Sequence, residues 1–234
     1  MGKCLFMRKG ETHTAPVNFN PVFANNTWEQ IIEACQKNKV PDTWVVGSQK
    51  TMTINGKDYL IDIIGKNHDT YSDGSGKAPL TFQMHDLYET TYAMNNTNTN
   101  GTGWTSCAMR STHLPAIKAF MPVDVQNAIR KVNKLAGMGG ANNLNINANE
   151  DELFLLAEIE VFGKANYSAP GEGTQYDYYK AGNSASKKGS TANTWWLRSP
   201  NTGDKYYFCH IKTDGSYDAN AANVGRGVSF AFCF

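Results

Sequence analysis

The sequence predicts a single α+β domain with short antiparallel strands, two main helices and much irregular structure. Three observations support this fold class. The chain has 234 residues, enough to bury a core without disulfides. Helical and strand-like patterns alternate along it without an internal repeat or a long biased linker. Its 24 Asn and 21 Gly, with only 18% charged residues, are typical of a chain rich in turns.

Two segments have helical patterns. Thr27 and Gln30 have capping-box spacing before an apolar face, which predicts a helix over residues 27–39. Pro122 is suited to a first helical position, and a second helix reaching Gly137 is predicted from four apolar residues at helical spacing, Val125, Ile129, Val132 and Leu135.

A hairpin follows the first helix. Asn55-Gly56 lies between the alternating segments 51–54 and 57–64, and this arrangement predicts a β-hairpin with a tight turn. We expect residues 1–44 to form an N-terminal segment, with its helix, that packs on a domain formed by residues 45–234.

The middle of the chain contains two polar stretches, residues 141–149 and 163–194, which predict surface loops. Between them, residues 153–162 are apolar enough to be buried, as a short strand running into a helical turn. The C-terminal part has strand patterns at residues 195–197, 206–211 and 228–234, separated by Gly, Asn and Asp turns. Bulky apolar residues alternate in the last segment, which we predict to be a buried strand of the central sheet.

Composition excludes several classes of function. A formal net charge of +1 gives no basic footprint, so no nucleic-acid partner is predicted. The apolar stretches are far shorter than the roughly 20 residues of a membrane span, so no membrane-spanning helix is predicted. Residues 1–9 lack the apolar stretch of a signal peptide, which predicts synthesis in the cytoplasm without standard secretion.

The cysteines predict neither a metal site nor a disulfide framework. They are five in number, without a CxxC pair or a histidine at ligand spacing: Cys4, Cys35, Cys107, Cys209 and Cys233. We expect reduced, mostly buried thiols and no cofactor. A pair between Cys209 and Cys233 stays open if their two strands are neighbours.

Sequence motifs of common enzymes are missing. The chain has no P-loop, dinucleotide-binding glycine motif, HExxH helix or GxSxG elbow. The histidines are scattered singly. Glu158 and Glu160 could in principle act as paired carboxylates, but such pairs are ordinary on helix surfaces. The sequence therefore predicts a protein that is not an enzyme.

Two blocks near the C-terminus carry a family resemblance. Residues 195–200 read Trp-Trp-Leu-Arg-Ser-Pro, and residues 227–234 read Gly-Val-Ser-Phe-Ala-Phe-Cys-Phe. The chain resembles an uncharacterised family of bacterial and phage structural proteins with these blocks, and the resemblance covers most of residues 45–234. That family is similar to the C-type-lectin-like domains of formylglycine-generating enzymes and of variable proteins diversified by retroelements. The resemblance implies a C-type-lectin-like fold and a ligand-binding protein on a phage virion or bacterial surface.

The resemblance also implies where variation would fall. Retroelement mutagenesis of adenines cannot turn an Asn codon into Glu, Gln, Met, Trp or Lys, and residues 201–228 contain none of the first four types. Lys205 and Lys212 would then be constant scaffold positions. Ten residues of this region are the candidates for variation and ligand binding, namely Asp204, Tyr206, Tyr207, His210, Asp214, Tyr217, Asp218, Ala219, Val224 and Arg226.

The residue types of this region favour binding on physical grounds too. Tyr, Asp, Asn, His and Arg on turns at the end of a rigid sheet give large contact area at low entropic cost, as in antibody paratopes. Two alternatives stay open: the tyrosines simply cover strand faces of a structural virion module, or Cys209 and Cys233 bind copper as in a thiol oxidoreductase. The partner expected is a protein or surface ligand, and a homo-oligomer is compatible with the sequence.

We expect Trp195 and Trp196 to belong to the core.

Overall fold

A computed structural model of the chain describes residues 18–189 and 193–234. Its helices are α1 (Trp28–Gln36), α2 (Leu114–Lys118), α3 (Val123–Ala128), α4 (Glu158–Phe162) and α5 (Asp177–Lys180), with a 3-10 turn at Phe23–Asn25 and a π-helical turn at Met109–His113. The strands are β1 (Gln49–Ile54), β2 (Lys57–Lys66), β3 (Leu80–Met84), β4 (Val132–Gly137), β5 (Ile146–Asp151), β6 (Leu153–Phe154), β7 (Trp195–Pro200), β8 (Tyr207–Ile211), β9 (Tyr217–Ala221) and β10 (Ala231–Cys233).

The elements form one α+β domain in which every strand pairing within the sheets is antiparallel. The largest sheet has the order β1-β2-β3-β10-β6, a second sheet has the order β7-β8-β9, and β4 pairs with β5 as a hairpin. The predicted fold class of an antiparallel α+β domain is therefore confirmed at this level.

The first helix and the hairpin form where they were predicted. The Gln30 amide donates to Thr27 Oγ1 at 3.2 Å, and the Thr27 amide donates to Gln30 Oε1 at 2.8 Å, which is a complete capping box. Asn55 and Gly56 have φ of 51° and 74°, the left-handed conformations that a two-residue hairpin turn with right-handed strand twist requires. Helix α1 contributes its apolar face to the core. Residues 1–17, including Cys4 and the segment considered as a signal peptide, lie outside the described residues.

The last segment of the chain occupies the middle of the large sheet. Strand β10 lies between β3 and β6, and all residues from Val228 to Phe234 are completely buried. The rings of Phe82, Phe232 and Phe234 contact one another, with centroids 5.3 to 5.5 Å apart. The predicted buried central strand is confirmed, and both of its faces are covered.

The second predicted helix is too long. Helix α3 ends at Ala128, Ile129 has an extended ψ of 127°, and Val132–Gly137 is the strand β4. In β4 the residues alternate between buried and exposed, so that Lys134 is buried and Leu135 is exposed. The helical spacing of Val132 and Leu135 was misleading, because this segment buries Lys134 against the carboxylates of Asp69 and Glu160 and leaves Leu135 exposed.

The two polar stretches are only in part surface loops. Residues 146–149 of the first stretch belong to strand β5, which pairs with β4. The second stretch contains helix α5, and Glu172, Tyr176 and Lys187 within it are buried. Residues 190–192 of this stretch lie outside the described residues. The predicted short strand and helical turn over 153–162 are confirmed as β6 and α4.

The described helices include none that is long and apolar enough to cross a membrane.

Candidate functional site

The sheet β7-β8-β9 carries the candidate binding region on a buried base. All six residues of β7 are buried, and the rings of Trp195 and Trp196 have no exposed surface. Their indole nitrogens donate to backbone carbonyls of Ala185 and Tyr92, both at 2.9 Å. The prediction that both tryptophans belong to the core is confirmed.

Arg198 of β7 fastens this sheet to the rest of the domain. Its guanidinium, which is fully buried, donates to both carboxylate oxygens of Glu160 in α4, at 2.6 Å and 2.8 Å. The remaining N–H groups donate to backbone carbonyls of Leu135, Leu155 and Glu172. A planar guanidinium with every donor used in this way fixes the relative positions of several segments.

A second buried cation continues the same network. Lys134 Nζ contacts Asp69 Oδ1 at 2.6 Å, Glu160 Oε1 at 2.7 Å and the Tyr176 hydroxyl at 2.9 Å. Burial tends to raise the pKa of Glu160, but the charges of Arg198 and Lys134 outweigh it, so that its pKa lies below the usual value. We use the name buried ionic network for Arg198, Glu160, Lys134, Asp69 and Tyr176, together with Glu172 and Ser199. Glu160 therefore has a structural role, unlike the helix-surface pair expected from the sequence.

Glu158, the other carboxylate of that pair, is also buried. Its Oε2 accepts hydrogen bonds at 2.9 Å from the amides of Asn166, Tyr167 and Ser168, and one at 2.8 Å from the Ser168 hydroxyl. This carboxylate thus holds the loop after α4 in place.

Glu172 is the member of the network with an unusual protonation equilibrium. Burial raises its pKa from 4.5 to about 7, while the hydrogen bonds from Ser199 Oγ and the Gly137 amide and the charge of Arg198 limit the rise. The folded protein therefore holds a proton at Glu172 at pH values where the unfolded chain has released it.

Replacing Glu172 by glutamine is expected to change how stability depends on pH. Between about pH 4.5 and 7 the folded wild type binds more protons than the unfolded chain. The proton on Glu172 therefore adds to the free energy of unfolding at pH 4.5, and this stabilisation is lost as pH rises to 7. The loss amounts to roughly 3 kcal/mol at 1.36 kcal/mol per pKa unit.

Urea unfolding of both proteins from about pH 4 to 9 measures this loss. The wild type should lose stability relative to Glu172→Gln as pH rises, and then change no further above about pH 8. Asp69 and Glu160 are present in both proteins and have pKa values below the usual range, so the difference reports mainly on Glu172. A stability difference that does not vary with pH contradicts the raised pKa.

A buried asparagine positions the turn between β7 and β8. Asn100 Nδ2 donates to the backbone carbonyls of Asn201, Asp204 and Tyr207 at 3.0, 2.7 and 2.8 Å, and the side chain is completely buried. The backbone of Asn100 also lies so close to Gly139, where φ is 78°, that a Cβ there would be 1.9 Å from the Asn100 carbonyl oxygen. The turn therefore has a fixed shape.

Three residues with exposed apolar side chains lie at this end of the sheet. Tyr206, Tyr207 and Val224 are 42%, 38% and 39% exposed. Their backbones are neighbours, since the Ala222 amide donates to the Tyr206 carbonyl at 2.9 Å, the Val224 amide donates to the Ala221 carbonyl at 3.1 Å, and Tyr207 pairs with Ala221. We call these three residues the tyrosine rim.

The other candidate residues are spread along the sheet. Asp204 lies beside the rim, where Oδ1 accepts the Tyr206 amide at 2.6 Å. Asp218 and Ala219 are partly exposed on β9, and Tyr217 is half-buried against the rings of Phe162 and Tyr167. Asp214 is exposed in the β8–β9 turn, about 15 Å from the rim at the usual rise of a strand. The ten predicted residues thus do not form one compact patch.

His210 and Arg226 lie next to Trp196. His210 is only 2% exposed, and its ring makes an edge contact with Trp196. Burial, with help from the charge of Arg226, lowers the His210 pKa to about 4. Arg226 Nη1 donates to Thr194 Oγ1 at 2.7 Å, and its guanidinium lies 5.4 Å from the Trp196 ring centre. His210 is therefore part of the buried packing around Trp196, and of these two residues only Arg226 is partly exposed.

Cys209 and Cys233 lie in different sheets. Cys209 is in β8 and Cys233 in β10, and both are free and completely buried. Burial raises the pKa of both thiols well above the usual value. The strands β8 and β10 do not pair with each other, so the condition under which a Cys209–Cys233 pair was left open, neighbouring strands, is not met. In the described ranges no group of three or more His, Cys, Asp or Glu side chains is arranged to hold a metal ion.

Three cavities among the described residues lie away from the candidate binding region. One of about 520 Å³ is lined by residues of the 35–79 range and Arg130, one of about 250 Å³ lies between α2 and β5, and one of about 260 Å³ lies between α1 and α3. None of the three is lined by a residue of the 201–228 region.

Sequence reasoning missed the residues that position the site. Asn100 belongs to an Asn-rich stretch in which its neighbours look alike, so nothing marked it as the one that binds the 201–207 turn. Arg198 carried a signal, since it is a charged residue inside an otherwise apolar strand pattern. Its partner Glu160 could have been sought on that ground.

Comparison with known proteins gives one family. Residues 81–234, roughly two thirds of the chain, match the model of a domain of unknown function, DUF6273. The matched range begins in β3 and includes β7, β8, β9 and Asn100. No curated protein and no solved structure matches the chain.

Proposed function

The chain belongs to the DUF6273 family of domains of unknown function, and we propose that it is a non-enzymatic ligand-binding protein whose recognition face lies in residues 201–228. The observation that carries the proposal is the tyrosine rim. Exposed aromatic and aliphatic side chains next to each other are suited to serve as interface anchors, because they bury much apolar area at low entropic cost.

Rigidity of the base supports the same proposal. The rim follows a strand that is wholly buried, and Asn100 holds the turn that carries Tyr206 through three hydrogen bonds. A rigid base reduces the ordering cost of binding, which is the usual advantage of a preorganised surface. Asp204 beside the rim and Arg226 next to Trp196 offer charged groups that a ligand could pair with.

The fold and origin that the resemblance implies belong to this proposal. A C-type-lectin-like fold with a retroelement-diversified region would place variable residues on the turns of the β7-β8-β9 sheet, where Tyr206 and Asp214 are found. A phage virion or bacterial surface is the location that suits such a protein. The coding DNA tests this: a nearby near-repeat of the sequence for residues 201–228, differing only at adenines, supports diversification, and its absence from the genome argues against it.

Truncating the rim is expected to weaken ligand binding without changing the fold. We expect the double variant Tyr206→Ala/Tyr207→Ala to bind at least roughly thirtyfold more weakly, because interface anchors of this type cost about 2 kcal/mol or more. Its melting temperature should stay near that of the wild type, since both rings are exposed. The measurement is a titration of labelled protein on intact bacterial cells of a panel of strains, with thermal unfolding in parallel.

Phe120→Ala provides a matched control. Phe120 is 53% exposed, lies outside the 201–228 region, and its loss should leave binding unchanged. Equal weakening by the control and the rim variant contradicts a recognition role of the rim. A wild type that binds no cell or envelope preparation favours the structural virion module instead.

A further inference from the structure

Strand β9 forms the outer edge of the β7-β8-β9 sheet, and we propose that this edge pairs with the same edge of a second copy of the chain. The two β9 strands would run antiparallel, with a two-fold axis at Ala219, and join two three-stranded sheets into one. Within the described residues β9 is the last strand of its sheet. The proposal goes beyond ligand recognition and does not depend on it.

The hydrogen bonds at both ends of β9 show which backbone groups point outward. The Lys212 amide donates to Ser216 O at 2.8 Å, and the Ala222 amide donates to Tyr206 O at 2.9 Å, so residues 216 and 222 face β8. In an antiparallel pair this direction alternates along the strand. The amides and carbonyls of residues 217, 219 and 221 therefore point away from β8.

Two of these outward amides have only local partners. The Ala219 amide donates to Oδ1 of Asp218 at 2.8 Å, and the Ala221 amide donates to Oδ1 of Asn220 at 2.7 Å. Both acceptors belong to the preceding residue on the same strand, so they can be exchanged for the carbonyls of an incoming strand without opening the sheet. The edge is thus able to accept a further strand.

The outward positions are symmetric about Ala219, which is what self-pairing needs. With Ala219 opposite Ala219, Tyr217 of each copy lies opposite Ala221 of the other, and outward amides meet outward carbonyls. The Ala221 carbonyl also accepts the Val224 amide at 3.1 Å and would be shared. No amide among the described contacts donates to the Ala219 carbonyl, so the two bonds between the Ala219 residues require only that each Ala219 amide leave Asp218 Oδ1.

The side chains complement each other in this register. The large Tyr217 faces the small Ala221, and Asp218 faces Asn220, whose amide group can donate to the carboxylate. Asp218 is the one charged residue of the β9 sequence Tyr-Asp-Ala-Asn-Ala, so no like charges are directly opposed. The strand also lacks the lysine and proline residues that commonly block edges, and its pairing with β8 contains no bulge. This complementarity favours a second copy over an unrelated strand.

Isosteric charge changes test the register. Sedimentation equilibrium should give twice the chain mass for the wild type at tens of micromolar. Asn220→Asp should weaken the dimer by about tenfold, because two symmetric pairs then oppose carboxylates, and 1 M salt should reduce the effect. The double variant Asp218→Asn/Asn220→Asp exchanges the two groups and should restore the dimer. In the single variant Asp218→Asn two neutral amide side chains face each other. No charge repulsion is then expected, so this variant serves as the control.

Ala219→Pro tests the backbone part of the proposal. It removes an amide that β8 does not use, so the variant should remain folded, with thermal unfolding close to that of the wild type, and should lose the dimer. A wild type that sediments as a monomer overturns the proposal. So does a dimer that neither Asn220→Asp nor Ala219→Pro weakens, because it then forms through another surface.

Discussion

Replacing Arg198 by methionine is expected to destabilise the protein by about 3–5 kcal/mol, because it leaves Glu160 buried with one cation fewer. It also leaves the backbone carbonyls of Leu135, Leu155 and Glu172 without their donor. A domain of ordinary stability has 5–15 kcal/mol in total, so this one change removes a large part of it. Urea unfolding at pH 7 measures the difference.

Two further variants separate charge from packing. Arg198→Met/Glu160→Gln removes the opposing charge as well and should recover part of the loss, since no uncompensated carboxylate remains beside Lys134 and Asp69. Lys37→Met breaks the exposed ion pair with Glu33 and should cost no more than about 0.5 kcal/mol. An Arg198→Met protein as stable as Lys37→Met would mean that the network contributes little to the fold.

Removing residues 228–234 is expected to abolish cooperative folding. The deletion takes β10 from between β3 and β6, and with it the rings of Phe230, Phe232 and Phe234 from the core. Both neighbouring strands then lose a partner and expose buried backbone groups, a cost that no marginally stable domain can absorb. Thermal unfolding followed by near-UV circular dichroism should show no sigmoidal transition.

A point variant keeps this prediction testable if the shortened chain cannot be purified. Phe232→Ala should cost about 3–5 kcal/mol as a large-to-small change in a packed core. Val123→Ala, at a residue that is 70% exposed, should cost close to nothing and is the matched control. A chain ending at Gly227 that still unfolds cooperatively would show that β10 is dispensable.

Elements with strong local signals could be predicted from the sequence. The capping box of Thr27 and Gln30, the Asn55-Gly56 turn and the apolar C-terminal strand each depend on residues that are close in sequence. Their geometry follows from backbone and side-chain preferences that act over a few residues. The placement of Tyr206 and Tyr207 on the surface was predicted in the same way, from turn-rich sequence beside a strand.

Features that depend on distant partners were decided by the tertiary structure. Where a helix was predicted, residues 132–137 form the strand β4, which pairs with β5 and buries Lys134 against Asp69 and Glu160. Asn100 became the support of the candidate site because a turn a hundred residues later lies against it. His210, a candidate binding residue by type, is buried because Trp196 and Arg226 pack around it. In each case the deciding contact joins residues far apart in sequence, and the balance between charge burial and pairing cannot be evaluated until folding brings them together.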